Sequence, residues 1–148
     1  MTSEIKSFVS YLRDVRQTSK NTEISYQRDL NQLAAFLAEK GITEVEKVTR
    51  TSLNSYILYL EKEGKATTTI SRELASIKAF FSYLFREGMI RRDPSELLKA
   101  PKIEKKAPVI LSVNEVNSLL DQPGTSSPKE IRDKAMMELL YATGIRVS

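Results

Sequence analysis

A chain of 148 residues with 41% hydrophobic content has room for one ordinary domain, or for one small domain and part of a second. It holds no cysteine and no histidine, which excludes disulfides, thiolate or imidazole zinc sites and the histidine-dependent hydrolase constellations. Its 23 basic against 19 acidic residues leave +4, a weak preference for a polyanionic partner; no apolar run suggests a membrane span or signal peptide, so the expectation is a soluble, cytoplasmic protein.

Ile5, Phe8, Val9 and Leu12 recur at i, i+3, i+4, i+7 and predict a first helix of about 13 residues. A second is predicted from near Asn21 to Lys40, with Tyr26, Leu30, Leu33 and Leu37 on one side and Gly41 placed to end it. Leu53, Tyr56, Ile57 and Leu60 define a third, entered at Thr49 or Thr51 and closed by Gly64. The fourth, from about Thr67 to Glu87, carries Ile70, Leu74, Ile77, Phe81, Leu84 and Phe85 and stops at Gly88. Asp93-Pro94-Ser95-Glu96 predicts a short capped helix, closing a first domain over residues 1–100. Residues 101–111 read as an extended basic linker. Ser112-Val-Asn-Glu115 and Ser127-Pro-Lys-Glu130 are two capping boxes, each ahead of an apolar-periodic stretch. They open a second domain over residues 112–148, too short to bury a core of its own and therefore expected to be incomplete. The expected fold class is all-α: a helical bundle of four to five helices, a linker, and the first helices of another domain.

At about 100° per residue, Thr68, Ser71, Arg72, Ala75, Lys78, Ala79, Ser82 and Arg86 form a stripe on the fourth helix opposite the apolar one. It contains no carboxylate, whereas an ordinary solvated face is laced with Glu and Lys pairs at i, i+4. Small residues permit close approach to a duplex, hydroxyls bond phosphate oxygens, and cations read guanine or neutralise phosphate. Asn21, Thr22, Ser25, Arg28 and Gln32 give the second helix a similar polar side, with its start near Ser19 to Thr22 offering N–H groups to a phosphate. Lys102, Lys105 and Lys106 of the linker are candidate phosphate contacts. The competing reading of the fourth-helix stripe is a surface packed on another protein helix; that of the second helix and linker is ordinary solvation. The six tyrosines, Tyr11, Tyr26, Tyr56, Tyr59, Tyr83 and Tyr141, fall mostly on or beside apolar stripes with no neighbouring base in the sequence, and are read as core or rim residues.

The segment Tyr141-Ala-Thr-Gly-Ile-Arg-Val-Ser148 resembles the arginine box of the tyrosine recombinase and phage integrase family, in its Xer-like branch. Asn21-Thr22, Tyr26-Gln-Arg-Asp-Leu30, Ser71-Arg72, Phe80-Phe81-Ser-Tyr83-Leu84, Asp93-Pro94-Ser95 and Pro101-Lys102 follow the family's order and rough spacing. Ile145 stands where the family usually has leucine. The resemblance implies a SAM-like core-binding domain that grips double-stranded DNA, then the opening of a catalytic domain in which Arg146 clamps the scissile phosphate of the whole enzyme. A guanidinium suits that role, being planar, permanently charged and bidentate. The same resemblance implies strand cleavage through a phosphotyrosine with no metal or other cofactor, a tetramer of the whole enzyme on DNA, and a monomer of this chain in solution. This chain is expected to bind DNA without cutting it. Two alternatives stay open: a non-catalytic helical module that binds protein, and a truncated recombinase acting as an accessory DNA binder.

Overall fold

In the computed structural model, which describes residues 1–101, 107 and 109–146, the regular structure is helical and no strand occurs among the described residues. The chain divides into two compact units, Met1–Glu104 and Lys105–Ser148.

Unit 1 is built from α1 (Thr2–Asp14), α2 (Lys20–Glu39), α3 (Arg50–Lys62) and α4 (Thr67–Arg86), with a 3-10 turn at Val45–Lys47. Local chemistry sets the ends of these helices. Ser19 caps α2 by accepting from the Thr22 amide at 3.2 Å, and Thr49 and Ser52 form a reciprocal box at the start of α3. At Gly41 and Gly88 the chain turns left-handed, φ +75° and +69°, and the next residue's amide reaches back to Leu37 and Leu84 at 2.9 Å. That conformation strains any residue with a Cβ, which is why glycine stands there.

α2 and α4 each contact the other three helices, whereas α1 and α3 do not touch one another, so the α2–α4 pair is the centre of the bundle. Leu30, Leu33 and Leu37 of α2 and Ile70, Leu74, Ile77, Phe80, Phe81 and Leu84 of α4 are buried between Ile5, Phe8, Val9 and Leu12 of α1 and Leu53, Tyr56 and Leu60 of α3. Each such side chain contributes about 1.5–3 kcal/mol of transfer free energy. Phe85, predicted on the apolar stripe, is instead half exposed, because it lies past the edge of the arc that the other helices cover.

The 93–98 segment also departs from the sequence reading. It forms a single turn, with Asp93 Oδ1 accepting from the Ser95 amide at 2.8 Å and its hydroxyl at 2.6 Å. Asp93 thus closes an Asx-type turn on its near neighbour. Buried Leu98 then anchors the chain, and no further helical turn is needed to complete the core.

A buried polar link joins α3 to α4. The Tyr56 hydroxyl donates to Glu73 Oε2 at 2.7 Å, with both side chains inside the core. The sequence reading left the tyrosines without a neighbouring carboxylate; the fold supplies one from 17 positions away. Burial first, and this bond second, push the Tyr56 hydroxyl far above the usual tyrosine range; burial also raises Tyr83. Since the folded value lies above the unfolded one, the stability these groups contribute is complete below pH 10.0 and falls as the pH rises above it. Melting temperatures followed by circular dichroism are therefore expected to drop from about pH 10 upward. Tyr56→Phe should flatten that drop; an unchanged alkaline slope would contradict the assignment.

Unit 2 contains α5 (Val113–Leu120) and α6 (Pro128–Thr143), each started by its predicted capping box, Ser112 with Glu115 and Ser127 with Glu130. Lys134 Nζ lies 3.4 Å from Asp121, linking α6 to the end of α5. Glu130 folds back over the connection, where a Cβ on Gly124 would stand 3.0 Å from its carboxylate. No residue of either helix is buried, and Ile131, Met136, Leu139 and Tyr141 are all at least half exposed.

Candidate nucleic-acid interface

Two helices from unlike parts of the sequence bring their polar sides to one seam. Asp29 meets Arg72, while Thr22 and Tyr26 share a groove with Ala79, Ser82 and Arg86, so α2 and α4 run antiparallel with their polar residues on the same outer edge. The groove, about 310 Å³, is completed by Phe8, Tyr11, Leu12, Arg16 and Thr18. None of its lining residues is a carboxylate.

The α1–α2 turn shapes one end of this groove. Gln17 takes a left-handed conformation, φ 48°, and Thr18 bonds Leu12 O through both its amide, at 3.1 Å, and its hydroxyl, at 3.2 Å. This tight reversal sets Arg16 and Thr18 along the groove wall. Arg86 donates to the Tyr11 hydroxyl at 3.0 Å and lies 5.5 Å over its ring. Its partner is neutral, so its full positive charge remains available.

Arg72 differs. Its guanidinium donates to Asp29, whose side chain is only 1% exposed, while the Arg72 side chain is 36% exposed. The hydrogen bond to Asp29 is the main reason that Arg72 holds its proton even more firmly than a free arginine. Arg28 lies 3.9 Å from the same carboxylate, yet its side chain is mostly in solvent. Glu23 is occupied elsewhere, between Arg13 at 3.2 Å and Lys20 at 3.5 Å.

The remaining predicted residues spread over this surface unevenly. Asn21 and Thr68 are exposed, and Thr22, Ser25 and Gln32 are half-buried. Lys78 sits about 120° around α4 from Arg72, with Nζ 3.4 Å from Glu96 O, so it belongs to the opposite margin of the stripe. The Ser71 hydroxyl oxygen is buried with no hydrogen-bond partner among the described residues, which removes it from the exposed surface. The amide of Thr22 is taken by Ser19 Oγ, leaving fewer donors at the α2 start than the sequence suggested. Lys102, Lys105 and Lys106 lie outside the described residues.

Arg16 was missed as a site residue because it follows the end of α1 and belongs to no helical stripe; Arg86 was placed on the stripe but not singled out. A basic residue beside a short inter-helix turn is the signal that would have found Arg16.

In unit 2, Gly144 ends α6 in the left-handed conformation, φ 62°, with its amide 2.9 Å from Leu140 O. Arg146 follows two residues later and is exposed, with no carboxylate in salt-bridge range among the described residues. Among the described residues there is also no cluster of carboxylates able to hold a metal ion, and no helix is long and apolar enough to cross a membrane.

A larger groove in unit 1, about 840 Å³, runs between Val45, Val48 and Thr49 and the 88–97 segment. Its arginines, Arg50, Arg91 and Arg92, are interspersed with Glu46, Asp93 and Glu96. Mixed charge suits a polyanion less well than the carboxylate-free groove does.

Among the described residues the class is that of a small helical bundle with a carboxylate-free groove between α2 and α4, followed by a helical hairpin. Residues 5–88 match the family model described as phage integrase, N-terminal SAM-like domain, and the chain belongs to that family. It is 43% identical over 146 residues to a protein of Caldanaerobacter subterraneus subsp. tengcongensis named as a tyrosine recombinase, covering 99% of this chain and 50% of that one. It is 38% identical to the tyrosine recombinase XerC of Roseiflexus sp. and 41% identical to XerD of Oceanobacillus iheyensis, covering 48% of each. The chain spans about half the length of these curated relatives. Its fold also matches the Tn1549 transposon integrase, solved in complex with circular intermediate DNA, with a TM-score of 0.70 at 19% identity over 98% of this chain and 47% of that one. The all-α fold and the family resemblance read from the sequence are both borne out.

Proposed function

We propose that unit 1 binds duplex DNA along the α2–α4 seam, as the DNA-binding portion of a site-specific tyrosine recombinase. The observation that carries this reading is the groove where Arg16 and Arg86 flank Thr18, Thr22 and Ser82 without a carboxylate. Arg72 and Arg86 are about 21 Å apart along α4, so the polar side of this helix is long enough to lie along several base pairs of a duplex. Relatives named as recombinases and a like-folded integrase solved on DNA support the same partner.

In the whole enzyme, Arg146 would hold the scissile phosphate, beyond a glycine that stops α6 and frees the arginine from the helix. The six tyrosines here are read as core or rim residues, and Tyr56 and Tyr83 are buried away from any phosphodiester. Assembly as a tetramer on DNA, a monomeric state of this chain alone and a cytoplasmic location belong to the same proposal.

Fluorescence anisotropy with labelled duplexes tests it. The 148-residue chain is expected to bind with a steep loss of affinity as salt rises. On a nicked suicide duplex it should leave no covalent adduct. Absence of binding, or salt-insensitive binding, would favour the protein-interaction alternative, and an adduct would overturn the inactive assignment.

A further inference from the structure

The two ends of the proposed seam carry arginines in different electrostatic states. Arg86 is held by a neutral phenol, and its whole charge faces outward. Arg72 is held by Asp29, which is buried beneath it, and buried Glu73 follows it in the chain. Arg72 is therefore paired with a carboxylate at the middle of the seam, whereas Arg86 at its end is not.

We propose that Arg72 reads a base edge and is not a phosphate contact, with Asp29 as its positioning residue; this rests on the seam binding duplex DNA. A phosphate brought to Arg72 would gain from the guanidinium and lose to the carboxylate a few ångströms behind it. A guanine edge carries no net charge, so the carboxylate does not penalise it. The guanidinium has five N–H donors in a fixed fork, and engaging Asp29 leaves others for the O6 and N7 acceptors of guanine. A buried carboxylate also restricts the rotamers of a long side chain, so less freedom remains to be lost on binding. Thr68 and Ala75, four residues before and three after Arg72, are exposed and small, so no long neighbour on α4 holds the base edge away. Arg16 and Arg86 are then left as the phosphate contacts that set register.

The test needs two duplexes: one selected by the wild-type chain from a randomised pool, and one unrelated. Arg72→Lys keeps the charge and loses the fork; it is expected to reduce the preference for the selected duplex roughly tenfold or more. Arg72→Gln combined with Asp29→Asn replaces the ion pair by a neutral pair. With its fold verified by circular dichroism, it should lose the same preference while keeping the wild-type dependence of log affinity on log salt. A salt slope shallower by about 0.9, with equal weakening on both duplexes, would make Arg72 a phosphate contact and overturn the proposal while leaving DNA binding intact. A wild-type chain that enriches no sequence would overturn it too, and a chain that binds no duplex would remove the functional reading beneath it.

Discussion

Replacing Arg16 and Arg86 together by alanine is expected to make the dependence of log affinity on log salt shallower by about 1.8, the value for two lost phosphate contacts. At low salt each charged contact is worth roughly tenfold in affinity, so the double variant should bind about a hundredfold more weakly. The loss should be nearly the same on every duplex, because phosphate contacts carry no sequence information. Both side chains are exposed, and Arg86 gives up only its contact with Tyr11, so the fold should survive. Lysine at both positions should restore most of the salt dependence. Anisotropy titrations at several salt concentrations measure all of these, and a double variant with unchanged slope would remove the groove from the interface.

Phe80→Ala should be among the most damaging substitutions in unit 1, lowering stability by about 3–5 kcal/mol. Phe80 is fully buried, with its ring centroid 5.5 Å from Phe8 and 5.2 Å from Phe81, both edge-on. Its removal opens a cavity where α1 meets α4. That cost is comparable to the whole stability of a small domain, so the variant should be largely unfolded at 37 °C. Phe85, on the same helix but half exposed, is the control; Phe85→Ala should change stability by only about 0.5 kcal/mol. Urea unfolding of the three proteins checks both values. Equal costs at the two positions would mean that α4 faces the core differently.

The contrast between these phenylalanines shows what the sequence could and could not reveal. Helix limits were legible where caps are local and recognisable, as with Ser112 and Glu115, Ser127 and Glu130, and the left-handed glycines, whereas the start of α3 stayed open between Thr49 and Thr51 until the Thr49–Ser52 box fixed it. The long apolar stripes were legible for the same reason, except at margins such as Phe85, where burial depends on how far a neighbouring helix extends. Partners brought together by tertiary packing were not legible. Asp29 lies 43 positions from Arg72, and no periodicity within α4 announces it. A stripe that looks free of acids along one helix therefore has one of its cations already paired across the bundle. The same limit hid Glu73 from Tyr56 and Arg16 from the α4 stripe.

Those nonlocal pairings sharpen the candidate site. The stripe read as one uniform basic face separates into an uncompensated end at Arg16 and Arg86, a compensated middle at Arg72, and a margin where Lys78 reaches Glu96. Positioning and reading can thus be divided between residues on one surface.

Amide chemical shifts of the 148-residue chain, recorded by NMR with and without a duplex, test the central claim most directly. The predicted result is a set of large, salt-sensitive shifts confined to Arg16 through Gln32 of the α1–α2 turn and α2, and to Thr68 through Arg86 of α4. Shifts clustered instead around Arg50, Arg91 and Arg92, or no shifts at all, would contradict it.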